Sequence, residues 1–125
     1  MNNLCLPFSD GRKVKLIPLD EICYVEQRER KVSIFTLRGM ETKYGKLSEY
    51  EPYLDERFVK VLKYTSVNFS NIMEMSDQTI YFANGETLNI NREYFIRAKQ
   101  RYALYLNDRN SFTAQARILS EGEGR

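Results

Sequence analysis

In the first half of the chain, hydrophobic and polar residues alternate in short segments separated by Gly, Pro and Asp. A period of two is typical of β-strands that bury one face. In the second such segment, Val14 and Leu16 alternate with Lys13 and Lys15, so we expect the two apolar residues on the buried face. The predicted strands cover residues 4–8, 13–18, 22–26, 32–37 and 40–44.

The second half continues this pattern and contains a hairpin signal. Residues 58–62 are expected to be extended, and residues 67–73 carry apolar side chains around Asn68 and Asn71, which we expect to be structural. Asn84-Gly85 then separates two alternating runs. This dipeptide favours a two-residue hairpin turn because both central residues need a positive φ.

Two segments have helical rather than strand spacing. Ser48 and Glu51 form a capping-box pattern before a short apolar stripe, and Pro52 limits that helix to a short one. A second helix is predicted to begin after Asn91, a favourable N-cap residue. Its apolar face is expected to contain Phe95, Ala98, Tyr102 and Leu106.

These elements predict a mainly β fold. We expect many short strands, a short mid-chain helix and a C-terminal helix. The 125 residues suffice for one domain, predicted at residues 1–106, followed by a loosely ordered tail at residues 107–125.

Composition narrows the function classes. The sequence has no histidine, which excludes Ser-His-Asp and Cys-His catalytic sets and His-ligated zinc. We therefore predict no enzyme activity, no cofactor and no bound metal. Lys and Arg number 19 and Asp and Glu 17, a net charge of +2, so a nucleic-acid surface must come from local clustering.

Cysteine usage and hydropathy favour a cytoplasmic protein. Cys5 and Cys23 are too few for a secreted disulfide framework, and a bridge between them requires that their strands pair. The N-terminus does not read as a signal peptide. No apolar run approaches the about 20 residues of a membrane span, so we expect no membrane insertion.

Three runs carry a resemblance to a known family: LDEICYVEQRERKVSIFTLRG, KLSEYEPYLDERFVKVLKYTSVNFSNIMEM and TIYFANGETLNINRE. They combine an I-x-Y-x-E strand, a short helix, a turn before V-N-x-x-x-I, and an N-G hairpin. Over roughly residues 10–105 the chain resembles a LytTR-type DNA-binding domain.

The resemblance implies a bacterial transcription regulator of the response-regulator type. It also implies elongated antiparallel β-sheets that present loops, rather than a recognition helix, to successive major grooves of double-stranded DNA. The resemblance further implies a homodimer on promoter direct repeats along a bent duplex. Some stand-alone members are similar to regulators that a co-encoded membrane protein holds inactive. The resemblance therefore also implies a regulatory membrane protein as a partner.

The QRERK connector at residues 27–31 is the first candidate contact segment. It carries Arg28, Arg30 and Lys31 with one acid. Guanidinium groups can bind phosphates and pair bidentately with guanine O6 and N7. The alternative from the residues alone is a solvated hairpin tip. The matching loop of the family contacts DNA, which favours the binding role.

Two further segments complete the candidate site. Lys63 and Tyr64 stand in the turn before Val67, where they can contact a base edge or a phosphate. Arg92 lies just inside a helix N-terminus, whose N–H groups also favour a phosphate. Replacing Lys63 or Arg92 with alanine is expected to cost about 1–3 kcal/mol of DNA binding.

Departures from the family pattern keep two other functions open. The family often has a His-Arg/Asn-Ser step before V-N and a Ser-Arg step after the hairpin; this chain has Leu62-Lys63-Tyr64 and Asn91-Arg92. Sequence-specific DNA binding is the main hypothesis. The alternatives are a protein-interaction module whose DNA surface is eroded, and nonspecific nucleic-acid binding, which would depend steeply on salt.

Overall fold

A computed structural model describes residues 4–123, and side chains within residues 4–108. The described chain is built from antiparallel strands and a C-terminal helix, which confirms the predicted mainly β class. The elements are β1 Cys5–Ser9, β2 Val14–Pro18, β3 Ile22–Arg28, β4 Lys31–Thr36, β5 Gly39–Tyr44, β6 Phe58–Leu62, β7 Thr65–Asn68, β8 Ile72–Ser76, β9 Thr79–Phe82, β10 Thr87–Asn89 and α1 Arg92–Glu123.

A central five-stranded sheet has the order β5-β4-β3-β7-β6. The β1–β2 hairpin packs on one face of this sheet, and the three-stranded β10-β9-β8 sheet and α1 pack on the other. Because β3 is central, both of its faces are buried. Tyr24 points into the core that contains Phe82 and Phe95, while Val25 points into the core that contains Phe8 and Tyr50.

The predicted mid-chain helix consists of two consecutive 3-10 turns, Leu47–Glu49 and Glu51–Tyr53. The predicted capping box is wrong, because Lys46 rather than Ser48 occupies the N-cap position and no side chain caps either turn. Pro52 stands in the second turn. Its missing N–H and fixed φ favour a short turn over a continuous helix.

The β9–β10 hairpin forms where Asn84-Gly85 predicts it, but with a different turn. Gly85 alone has a positive φ there, 91°, and its N–H donates to the Phe82 carbonyl at 3.0 Å. A three-residue loop with a left-handed glycine therefore replaces the two-residue turn. Two consecutive positive φ values occur instead in the β8–β9 turn, at Asp77 and Gln78. Neither residue is a glycine, so the sequence did not indicate this turn.

Strand β2 forms as predicted, but the opposite face is buried. Val14 and Leu16 are 82% and 66% exposed. Lys13 and Lys15 instead approach Glu41 of β5, with Nζ–Oε distances of 2.9 and 2.8 Å. The register of the β1–β2 pair turns the other face of β2 toward the core, so the predicted burial of the two apolar residues is wrong.

Helix α1 begins as predicted. The Asn91 carboxamide oxygen accepts a hydrogen bond from the Tyr94 N–H at 3.1 Å, as an N-cap does. Phe95 and Ala98 are buried against the sheets. Leu106, expected on the same face, is 40% exposed, so the buried stripe ends before it.

The helical backbone continues to Glu123, beyond the predicted end of the helix at Leu106. The prediction of a loosely ordered tail at 107–125 falls largely outside the residues whose surroundings are described. No helix in the described part of the chain is long and apolar enough to cross a membrane.

Both cysteines are free thiols. Cys23 is fully buried in β3, whereas Cys5 is partly exposed. Burial raises the pKa of the Cys23 thiol, which keeps it protonated and unreactive.

Candidate nucleic-acid interface

The predicted QRERK connector is mostly strand. Arg28 ends β3 and Lys31 begins β4, so only Glu29 and Arg30 form the hairpin tip. Glu29 has a φ of 59°, a conformation that costs energy for a residue with a side chain. Arg28 and Lys31 lie directly opposite each other in the register, which places two cations at the root of the tip.

The turn with Lys63 and Tyr64 lies beside this tip because β7 pairs with β3. Beyond the last paired residues, the Gln27 N–H donates to the Tyr64 carbonyl at 2.8 Å. Both turn side chains are exposed. Two segments that are more than thirty residues apart in the sequence are therefore adjacent at one end of the sheet.

A third turn reaches the same end from β5. Gly45 donates its N–H to the Arg30 carbonyl at 2.9 Å, and its φ of 155° is one that L-residues rarely adopt. Lys46 follows and is exposed. Sequence reasoning missed Lys46, although the β3-β4-β5 meander returns the end of β5 to the start of β4.

We call this group of side chains the cationic end: Arg28, Arg30, Lys31, Lys46 and Lys63. Arg28 has an ion pair with Glu26, at 3.3 Å. The other four have no acidic partner among the residues that the structure describes. Adjacent like charges repel, so an anion such as a phosphate is the natural complement of this surface.

Exposed tyrosines accompany two of these cations. The Lys31 Nζ lies 5.5 Å from the ring centroid of Tyr44, and the Lys63 Nζ lies 5.4 Å from that of Tyr64. The rings are 71% and 48% exposed, respectively. Cation–π contacts of this kind restrain an ammonium group while leaving its N–H groups free to donate. Sequence reasoning selected Tyr64 and missed Tyr44.

Arg92 occupies a different place. It is exposed at the first residue of α1, and no contact joins it to the cationic end in the described structure. The neighbouring groove between β6 and α1 is lined by Lys63, Tyr94 and Arg101, but not by Arg92. The structure thus brings five of the six predicted site residues together and leaves Arg92 on the adjoining helix.

Comparison with known proteins agrees with this architecture. The LytTr DNA-binding domain family matches residues 12–103, most of the chain. The chain belongs to the LytTR family. LytTR is a family of DNA-binding domains of response regulators and is not an enzyme family. The resemblance stated from the sequence motifs is confirmed.

A solved structure shares the fold. It is the LytTr DNA-binding domain assigned to a methyl-accepting/DNA response regulator from Bacillus cereus. The TM-score is 0.59 at 18% identity, with 86% of this chain and 96% of that chain covered. No curated protein matches the chain.

The opposite end of the central sheet of this LytTR domain has a different charge arrangement. Arg38, in the β4–β5 turn, pairs with Glu21 at 3.4 Å. Arg57, before β6, pairs with Asp55 at 2.8 Å and also with Asp20. Hydrogen bonds to these carboxylates raise the pKa of Arg57. We call these five residues the paired end.

Asn68 and Asn71 stabilise the backbone at the paired end. The buried Asn68 amide donates to the carbonyls of Leu19 and Ile22 at 3.2 and 2.8 Å, and its oxygen accepts from the Ser70 N–H and hydroxyl. Asn71 also donates to Ile22, at 2.8 Å. The predicted structural role of both asparagines is confirmed.

Proposed function

We propose that this LytTR domain binds double-stranded DNA sequence-specifically as a transcription regulator, with the cationic end as its DNA surface. The observation that carries the proposal is that Arg30, Lys31, Lys46 and Lys63 have no acidic partner in the described chain, although three separate turns bring them together. An apposed phosphate backbone supplies the missing negative charge.

Sheet geometry supports different proposed roles for the turns. Strands lie about 4.8 Å apart, so the Arg30 tip and the Lys63 turn are separated by about two spacings, or about 10 Å. A major groove about 12 Å wide admits both. We assign base-edge contacts to Arg30 and Lys63. Lys31 and Lys46, toward the β5 edge, are assigned to phosphates that set the register.

Two copies on promoter direct repeats, forming a homodimer on a bent duplex, would place these turns in successive major grooves. Arg92 is assigned to a flanking phosphate because it stands at a helix N-terminus, where backbone N–H groups add to its charge. Control by a regulatory membrane protein is part of the same proposal and rests on family resemblance alone.

The test is fluorescence anisotropy with a duplex from upstream of the gene's own operon and a scrambled duplex of equal length, at several salt concentrations. We expect a clear preference for the genomic duplex that persists as salt rises. The three cations assigned to phosphates, Lys31, Lys46 and Arg92, should give a slope of log K against log salt of about −3 for each bound copy.

A set of overlapping duplexes that covers the promoter extends the test. Equal affinity for every duplex of the set would indicate nonspecific nucleic-acid binding. The second candidate, a protein-interaction module on the same fold, would be favoured by absence of binding to both duplexes at low salt. Either result contradicts the proposed sequence-specific function.

A further inference from the structure

Gln27, near the end of β3, makes hydrogen bonds to all three turns of the cationic end. Its backbone N–H donates to the Tyr64 carbonyl at 2.8 Å. Its side-chain Oε1 accepts from the Leu47 N–H at 2.8 Å, and its Nε2 donates to the Glu29 carbonyl at 3.0 Å. Because one partner is an N–H and the other a carbonyl, only one orientation of the amide satisfies both.

Each of these three partners is a direct neighbour of a cation in the sequence. Glu29 is the first residue of the hairpin tip, Leu47 begins a 3-10 turn, and Tyr64 belongs to the β6–β7 turn. Gln27 thereby joins the backbone positions from which the cationic side chains extend. The neighbouring cations are Arg28, Arg30, Lys46 and Lys63.

The two side-chain bonds restrain segments that would otherwise have more freedom. Glu29 holds a left-handed φ, and the bond from Gln27 to its carbonyl offsets part of that strain. Leu47 is buried, so the bond to its N–H links the tip to a residue fixed in the core. A backbone bond from Gly45 to Arg30 provides a second link, independent of Gln27.

We infer that Gln27 is a positioning residue for DNA recognition, whose side-chain amide fixes the Arg30 tip relative to the Lys46 turn. The inference rests on the proposed function. Base edges accept donors only in a narrow geometry, whereas phosphates bind cations at many positions. Loss of the amide should therefore reduce discrimination between sequences more than it reduces total affinity.

The test replaces Gln27 with methionine, which has a similar shape and forms neither hydrogen bond. The measured quantity is the discrimination ratio, the Kd for scrambled duplex divided by the Kd for the genomic duplex. We expect Gln27→Met to lower this ratio about tenfold, equivalent to about 1.4 kcal/mol. The affinity for scrambled duplex and the slope of log K against log salt should stay unchanged, because every cation remains.

Gln100→Met is the matched control. Gln100 is exposed on α1 and makes no side-chain hydrogen bond among the described residues, so its replacement should leave the ratio unchanged. Gln27→Glu is the conservative variant, which keeps the acceptor for Leu47 and loses the donor to Glu29. Its ratio should fall at least as far as that of Gln27→Met, because a carboxylate oxygen then faces and repels the Glu29 carbonyl; the added charge itself affects two equally charged duplexes alike.

Amide exchange of Leu47, followed by NMR, is a readout independent of DNA. Faster exchange is expected in Gln27→Met, with protection retained in Gln27→Glu. A Gln27→Met ratio within twofold of a discriminating wild type would overturn the inference and leave the proposed function intact. A wild type that binds all duplexes equally would refute the proposed function and, with it, the recognition role of Gln27.

Discussion

The two ends of the central sheet carry similar charged residues in opposite arrangements. At the paired end, the cations Arg38 and Arg57 contact the acids Glu21, Asp20 and Asp55. At the cationic end, only Arg28 has an acidic partner in the described chain. The same strands connect the two ends, so the contrast comes from the turns.

The comparison shows why net charge conceals this surface. The net charge of +2 is a sum over the whole chain, so it does not show where cations are paired with acids and where they are not. At the paired end, ion pairs neutralise the arginines and asparagine amides donate hydrogen bonds to backbone carbonyls. At the cationic end, the cations remain available to a ligand. We therefore expect substitutions at the paired end to change stability, and substitutions at the cationic end to change DNA binding.

The largest stability effect is expected for Asn68→Ala. The buried side chain makes four hydrogen bonds; its removal takes one of two donors from each of the Leu19 and Ile22 carbonyls and the acceptor from the Ser70 N–H and hydroxyl. At about 1 kcal/mol for each hydrogen bond lost, the three bonds to backbone groups give an expected loss of about 3 kcal/mol in unfolding free energy from urea denaturation. Asn89→Ala, an exposed strand position, is the control; similar losses in the two variants would contradict the structural role.

Lys63→Ala is expected to weaken DNA binding while leaving stability nearly unchanged. It removes a proposed base contact and should weaken binding of the genomic duplex by about 1–3 kcal/mol. The unfolding free energy should change by less than about 0.5 kcal/mol, because Lys63 is exposed and has no acidic partner among the described residues. Lys99→Ala removes the same charge from an exposed position on α1; anisotropy should show little loss for it, and equal losses would indicate a diffuse electrostatic effect.

The smallest effect is expected for Glu41→Gln. Contacts with Lys15 and Lys13 lower the pKa of Glu41, so this carboxylate contributes stability above its unfolded pKa and loses it as the pH falls through its lower folded value. The cations are well exposed, which limits the cost at neutral pH to a few tenths of a kcal/mol. Urea titrations should show the wild-type advantage shrinking as the pH falls below the ordinary glutamate pKa and vanishing once the pH is below the lower folded pKa as well; an advantage that persists there would exclude this ionisation as its cause.

Local sequence patterns predicted most of the fold. Strand alternation, the Asn91 cap and the Asn84-Gly85 hairpin all correspond to structural elements. The buried face of β2 was predicted incorrectly, because period-two alternation cannot distinguish which face a neighbouring hairpin turns inward. The β8–β9 turn at Asp77 and Gln78 carried no glycine to indicate its positive φ values.

The candidate site was predicted in part. Arg28, Arg30 and Lys31 are adjacent in sequence, so their clustering needs no tertiary information. Lys46 joins them only through the return of β5 along β4, and Gln27 shows its role only through bonds to distant turns. Long-range pairing, rather than residue type, determines which cations share a surface.

The central claim is tested most directly by comparing Arg30→Ala with Arg38→Ala. These arginines stand in the turns at the two ends of β4 and carry the same charge. In anisotropy titrations with the genomic duplex, we expect Arg30→Ala to weaken binding at least about tenfold, which corresponds to about 1.4 kcal/mol, and Arg38→Ala to change it less than twofold. Equal losses, or a larger loss for Arg38→Ala, would contradict a DNA surface at the cationic end.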